Sequence, residues 1–281
     1  MFSKTFRFPE NIARSLFLRW KMIWQTLRPK PESKRCLFIV GCQRSGTTML
    51  SRIFEKDLNT KCYGEASKLS YMIPGQRLRF RRPIEIQDEI KKDRAAFIIL
   101  KPLVESQNIV KLLHEFENGM ALWIYRDFKD VASSNIDRFG QSNSMEDLRP
   151  IIDGRSDNWR SEKVSRESQA LISKYYSQTM NANDAAVLFW IIRNRIYFEL
   201  QLDARCDVLL VNYEALTRDP VTVMKQIYEF AHQEYPGDRI ISGTNTNSIS
   251  KGSDITLTLE IEIVATQLLD KLDTSLRSVV P

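Results

Sequence analysis

Three short stretches of this chain place together residue types that can hold and move anionic groups. The first is Gly41-Cys42-Gln43-Arg44-Ser45-Gly46-Thr47-Thr48, in which two glycines bracket four residues and two hydroxyl side chains follow. Set before a helix, such a loop aims successive backbone N–H groups and the positive end of the helix at one oxyanion. Arg44 adds a planar pair of donors, and Thr47 and Thr48 add hydroxyls. The spacing approaches the G-x-x-x-x-G-K-[ST] loop of phosphoryl-transfer enzymes, but Thr47 stands where that loop has lysine. This weakens a kinase reading, because lysine and magnesium normally attend the transferred phosphoryl group. The second stretch pairs Arg126, at the end of an apolar run, with Ser134 eight residues on. One from a turn and one from the next helix, they can meet on a single phosphate. The third is Asn212-Tyr213-Glu214, where a tyrosine ring can lie beside a nucleobase or anchor its own loop. Lys101 closes the run Ile98-Ile99-Leu100. There it either shields charge on a leaving oxygen or faces solvent.

These residues need a scaffold that brings strand ends to one edge. Runs at 36–40, 95–100 and 120–125 are short and continuously apolar, as strands buried on both faces should be, and 207–211 is apolar after its opening Asp207. Helical patterns follow at 48–58, 109–116, 129–139 and 220–231. The alternation predicts an α/β fold: a P-loop-like three-layer sandwich with four or five mainly parallel strands. Residues 71–94, with Arg77, Arg79, Arg81 and Arg82, and residues 141–184 read as helical cap insertions over a site. A long helix begins between Met180 and Asp184 and runs to Leu200. The pattern from Leu257 to Leu272 suits a strand in part and a helix throughout, so a helix is expected. The expected division is an N-terminal helical extension, 1–34, and one α/β domain, 35–281.

Composition sets the outer limits. The chain has 281 residues, 43% of them hydrophobic and only ten each of glycine and proline, which excludes a disordered or collagenous chain. No apolar run is long enough to cross a bilayer, which excludes a multi-pass membrane protein. The net charge of +6 suits an anionic ligand. No zinc-finger spacing or arginine-rich arm points to nucleic acid. Cys36, Cys42, Cys62 and Cys206 form no C-x-x-C pair, so reduced thiols and a cytoplasmic location are the default. Two histidines, His114 and His232, cannot build a three-histidine zinc site, and both read as ordinary surface or packed residues. Ile12, Leu16, Trp20, Ile23, Trp24 and Leu27 recur at helical spacing, interrupted by Arg14, Arg19 and Lys21. Residues 10–28 therefore form a helix that packs on the domain, lies on a membrane or meets another subunit. They are not a secretory signal.

The stretch 43–48 resembles the phosphosulfate loop of the sulfotransferases that use 3′-phosphoadenosine-5′-phosphosulfate (PAPS). The resemblance implies that Arg44, Ser45, Gly46, Thr47 and Thr48 grip the 5′-phosphosulfate end of the donor. The run from Arg126 to Ser134, with its Lys129-Asp130-Val131-Ala132 centre, is similar to the family's second donor motif. It implies that Arg126 and Ser134 bind the 3′-phosphate. The Tyr213-Glu214 pair with Asp219-Pro220 also fits, which makes Tyr213 an adenosine contact and Glu214 a structural residue. Lys251-Gly252 resembles the family's late phosphate contact, although the full arginine-lysine-glycine stretch is missing and Ser248 or Ser250 could serve instead. The family's usual lysine is matched by Lys101, but Leu103 stands where many cytosolic members have the catalytic histidine. Cys62-Tyr63-Gly64-Glu65 resembles instead the glycine-glutamate of protein-tyrosine sulfotransferases and similar bacterial enzymes, which implies Glu65 as the base.

The implied reaction is direct in-line transfer of the sulfuryl group from PAPS, with Arg44, Lys101 and Glu65 at the chemistry, no required metal, and release of 3′,5′-adenosine bisphosphate. A small-molecule hydroxyl or amine is the expected acceptor. A peptide tyrosine, a carbohydrate or a lipid stays open, with Trp159, Tyr175, Tyr176 and Trp190 as aromatic walls or core. Asp153, Asp157 and Glu162 either meet a cationic acceptor or face solvent. The alternatives are a small-molecule kinase and a catalytically silent nucleotide-binding protein.

Overall fold

The apolar run after Arg35 becomes the middle of a sheet, because a strand covered on both faces needs apolar side chains on both. The structure is a computed structural model that describes residues 7–74 and 77–279. Residues 1–6 of the expected extension and 75–76 of the first expected insertion lie outside them. In chain order the elements are α1 (Arg7–Thr26), β1 (Arg35–Gly41), α2 (Thr47–Glu55), β2 (Thr60–Tyr63), β3 (Ser70–Ile73), β4 (Arg77–Phe80), α3 (Pro83–Lys91) and β5 (Phe97–Leu100). Then come α4 (Ile109–Glu115), β6 (Gly119–Tyr125), α5 (Phe128–Phe139), α6 (Gln141–Ile152), α7 (Arg166–Tyr175) and α8 (Ala182–Glu199). The chain continues through β7 (Val208–Asn212), α9 (Tyr213–Arg218), α10 (Pro220–Phe230) and α11 (Leu259–Val279).

Five parallel strands form the main sheet in the order β2-β5-β1-β6-β7. Side chains of β1 alternate between two cores. Phe38 and Val40 point into one with Trp123, Trp190 and Ile196, while Leu37 and Ile39 point into the other with Leu50, Phe54 and Tyr228. The result is the expected helix-sheet-helix arrangement. Its parallel strands all end at one edge, and the candidate residues at 41–48, 65, 101, 126 and 213 follow those ends.

The four apolar runs are all strands, and the closing run is a helix from Leu259. The fifth strand, β2, had no such signal. It is a four-residue edge strand whose Lys61 and Cys62 are only half-buried, so it lacks a continuous apolar run. Residues 71–94 hold an antiparallel hairpin, β3 with β4, and then α3. Pro83 opens α3 at a position where its missing N–H costs nothing.

α1 packs on the domain through its polar side. Lys21 Nζ donates to Glu55 O and Thr60 Oγ1, both at 2.9 Å. Gln25 Nε2 donates to Leu58 O at 2.7 Å and Thr60 O at 2.9 Å, and Arg14 makes a two-pronged bond to Glu55. Burial holds the Lys21 ammonium below its ordinary pKa. The residues that marked α1 as amphipathic point outward instead: Ile12, Leu16, Trp20, Ile23 and Leu27 are between 50% and 82% exposed.

All four cysteines are free thiols, and only Cys206 is exposed. Burial pushes the thiols of Cys36, Cys42 and Cys62 up to about 12. Thiolate is the reactive form, so these three should be inert in the folded protein. Titration of native protein with a disulfide reagent should count one fast thiol, with three more appearing on denaturation. Fast modification of Cys42 would contradict this packing.

Candidate active site

The loop between β1 and α2 turns sharply, with Arg44 at φ 69° and Gly46 at φ 94°, both left-handed. Gly46 is required twice over: its conformation suits glycine, and a Cβ there would lie 2.2 Å from the Tyr213 ring. The turn leaves the first N–H groups of α2 and the Thr47 and Thr48 side chains beside a cleft of about 590 Å³. Ser45 does not face it, for its hydroxyl is fully buried without a hydrogen-bond partner. Gln43 donates to Asp147 of α6 at 2.9 Å, and Asp147 also accepts from Arg160 at 2.6 Å. That buried network braces the loop from behind.

Two charged groupings line the cleft. The first lies between Glu65, just after β2, and Lys101, just after β5. Lys101 Nζ sits 3.0 Å from Glu65 Oε1 and 3.0 Å from Thr48 Oγ1. An ammonium has three donors, and these contacts use two. The second grouping gathers guanidinium groups. Arg44 donates through Nε and Nη2 to Ser134 Oγ, at 3.1 and 2.9 Å. Arg126 Nη1 donates to Arg44 O at 3.3 Å, and its Nη2 donates to Asp130 and to Ser248 O. Arg138, one turn beyond Ser134 on α5, lines the same wall. Burial, with Arg138 and Arg126 as like charges, holds Arg44 below its ordinary pKa, while Asp137 partly offsets them. Such a cluster is stabilised by a multiply charged anion.

The resemblance groups Arg44 with Ser45, Gly46, Thr47 and Thr48 at the phosphosulfate end of the donor. The left-handed backbone of Arg44 turns the side chain toward α5 and Ser134, so it joins Arg126 rather than Lys101.

Asp130 organises the far wall. It is 2% exposed, pairs with Arg126 at 3.2 Å, and accepts from the backbone N–H groups of Ser250 and Gly252 at 2.9 and 2.8 Å. Gly252 lies against α5 so closely that a Cβ would fall 2.2 Å from Lys129 O. It supports the wall from outside the cleft, whereas Lys251 and Ser248 line it. Tyr213 is 5% exposed, with the Arg126 guanidinium 4.6 Å from its ring centroid and its hydroxyl bonded to Ser248 Oγ. It faces an arginine and a glycine, which is the loop-anchoring arrangement. Glu214 accepts from Asp127 N at 3.1 Å, and burial raises the pKa of both carboxyls.

Of the residues singled out by sequence, Arg44, Gly46, Thr47, Thr48, Glu65, Arg126, Ser134, Tyr213 and Lys251 line this one cleft. Lys101 reaches it through Thr48 and Glu65, and Leu103 lines it where a histidine would have stood. His114 and His232 are exposed and not among its lining residues. Sequence reasoning missed Arg138, Asp137 and Phe139. Their signal was helical spacing, since Arg138 follows Ser134 by four residues.

The two expected cap insertions contribute no lining residue among those described. Trp159 and Trp190 are core residues, and Glu162 is tied to Arg79, Gln107 and Asn108. Asp157 is held in a surface pair with Arg155. Among the described residues, no group of three or more histidine, cysteine or acidic side chains is placed to hold a metal ion.

No curated protein sequence matches the chain. Among solved structures, a sulfotransferase domain from the Synechococcus PCC 7002 olefin synthase is 16% identical, with a TM-score of 0.48, over 87% of this chain and 98% of that one. A sulfotransferase from Alicyclobacillus acidocaldarius is 15% identical, with a TM-score of 0.47, over 88% and 96%. A mouse sulfotransferase complexed with PAP is 15% identical, with a TM-score of 0.46, over 88% of each chain. The family model described as the sulfotransferase domain matches residues 34–256, a span that carries Glu65, Lys101 and the arginine wall alike. By that match over most of its length, the chain belongs to the sulfotransferase domain family.

Proposed function

We propose that this sulfotransferase takes PAPS as donor and moves the sulfuryl group in line to a hydroxyl or amine of a small molecule, releasing 3′,5′-adenosine bisphosphate. One observation carries the reading: a single cleft holds a Lys-Glu pair beside a helix N-terminus on one wall and an arginine cluster on another. The donor has two anionic ends, and each wall suits one. The Nε of Arg126 agrees, being a buried donor with no hydrogen-bond partner beside the cleft that Arg126 lines.

In this reading Arg126, Ser134 and Arg44 hold the 3′-phosphate, with Lys251 at the rim. The N–H groups at the start of α2, with Thr47 and Thr48, take the 5′-phosphosulfate. Tyr213 and Gly46 fix the wall between the two ends, and Gly252 and Asp130 hold Arg126 in place. Lys101 stabilises negative charge at the bridge between phosphate and sulfate, where charge grows in the transition state. Glu65 accepts the proton of the acceptor nucleophile. Its contact with Lys101 at 3.0 Å aims the carboxylate and sets the proton acceptor beside the group that stabilises the leaving group. No protein nucleophile is used, so no covalent sulfo-enzyme forms. The kinase alternative lacks a cation at Thr47, and the silent-binder alternative leaves the Lys-Glu pair without a task.

Four results are expected. Lys101→Ala should lower kcat about 10²-fold or more with little change in affinity for 3′,5′-adenosine bisphosphate. Arg126→Lys, which keeps the partner of Asp130, should instead weaken that affinity by about tenfold or more, read by calorimetry. Equal donor affinity and full turnover in both variants would remove these roles. Glu65→Gln should lower kcat by about 10²- to 10⁴-fold while donor binding persists. Wild-type protein should release 3′,5′-adenosine bisphosphate from PAPS only when an acceptor is present, and should do so in a chelator. Turnover of ATP with magnesium, and none of PAPS, would restore the kinase reading.

A further inference from the structure

On a helix of 3.6 residues per turn, Arg14, Lys21 and Gln25 share an arc of about 40°, and Ile12, Leu16, Trp20, Ile23 and Leu27 share one of about 80° on the opposite side. The polar arc is the one that α1 buries against the domain, through Glu55, Leu58 and Thr60. The apolar arc has no cover: Leu16 is 61% exposed and Leu27 82%. A helix whose only role was to close the core would bury the opposite face.

Charge accompanies this stripe. Residues 1–34 contain eight lysines and arginines against two glutamates, so the entire net charge of +6 falls in this segment and the rest of the chain is balanced. Arg14, Lys21 and Lys34 are engaged with the domain. Arg19, Arg28 and Lys30 are exposed. Trp20 lies in the stripe, and Trp24 beside it stacks under Arg28 at 3.9 Å. Tryptophan with arginine is the pairing that settles at the headgroup level of a bilayer. Between α1 and the domain a second cleft of about 670 Å³ opens, lined by Phe17, Trp20 and Trp24, with Arg28, Lys56 and Arg239 against Asp57 and Glu234. No described helix is long and apolar enough to cross a membrane.

We propose that the outward face of α1 docks the protein on an anionic lipid bilayer, the helix lying in the plane of the interface. The stripe supplies apolar burial and the basic residues supply attraction to acidic headgroups. A second copy of the chain is the less fitting occupant, because it would bring two segments of like charge together. α1 contacts the loop before β2, at the amino ends of the parallel strands, whereas the donor cleft lies at their carboxyl ends. The docking face is thus separate from the active site, and its test is independent of the assigned reaction.

The test is co-sedimentation of the full chain with vesicles of phosphatidylcholine alone and of phosphatidylcholine with an equal part of phosphatidylglycerol. The protein should pellet with the mixed vesicles and release at raised salt. Trp20→Ser with Ile23→Ser should lower the partition constant at least about tenfold. Its unfolding temperature and its affinity for 3′,5′-adenosine bisphosphate should stay as in the wild type. Arg19→Gln with Arg28→Gln and Lys30→Gln should abolish the preference for the mixed vesicles. The proposal falls if the wild type does not pellet with them, or if the apolar variant pellets equally well. It also falls if sedimentation velocity without lipid shows a dimer that the apolar variant dissociates, since the stripe would then belong to a second copy.

Discussion

The buried contact between Arg126 and Asp130 governs the cleft. A charge removed from water must be paired and hydrogen-bonded, and here both partners are 5% exposed or less. Asp130 neutralises the guanidinium from behind and spends its remaining capacity on two backbone N–H groups of the 250–252 turn. One carboxylate thereby fixes a strand end, a helix start and a distant loop in one place. The absence of a side chain at Gly252 permits that approach. Each neighbour follows: Ser248 meets Arg126 and Tyr213, Tyr213 presses on Gly46, and Gly46 sets the start of α2.

Opposite that wall, the pair formed by Glu65 and Lys101 arises from adjacent strands, β2 and β5, whose parallel register runs from Thr60 opposite Phe97 to Tyr63 opposite Leu100. Residues just beyond matched strand ends emerge side by side, so the pair is a product of sheet register. The edge position of β2 leaves Glu65 one-third exposed, open to a molecule arriving from solvent, while Lys101 is 11% exposed beside it. Positioning a carboxylate after a short edge strand and its ammonium partner after an inner one gives access to the first and rigidity to the second.

Much of this was legible in the sequence because the inner strands are continuously apolar and the loops after them carry unusual chemistry. Gly46, Arg126 and Ser134 stood out by type and spacing, and the structure brings their surroundings together. Strand β2 was not legible, since four edge residues, the middle two only half-buried, carry no continuous apolar signal. The direction of the Arg44 side chain was not legible, because it depends on one left-handed backbone angle. The insertions were read as walls of the site from their polarity alone. Polarity reports exposure, and exposure does not say which part of the surface a segment covers. Asp130 stood in the centre of the second motif with no role of its own, and the helix cap is its neighbour Asp127. The clamp of Asp130 on residues 250 and 252 is a contact across more than a hundred positions, which no local pattern encodes.

The parallel sheet also gives the molecule a front and a back. The first helix rests at the back, some seven residues of β1 away from the loop that opens the front. An engineer wishing to immobilise this protein would therefore attach beads or fusion partners through the amino-terminal segment, which leaves the cleft at the front clear. The same graft placed in the turn at 248–252 would obstruct the doorway itself.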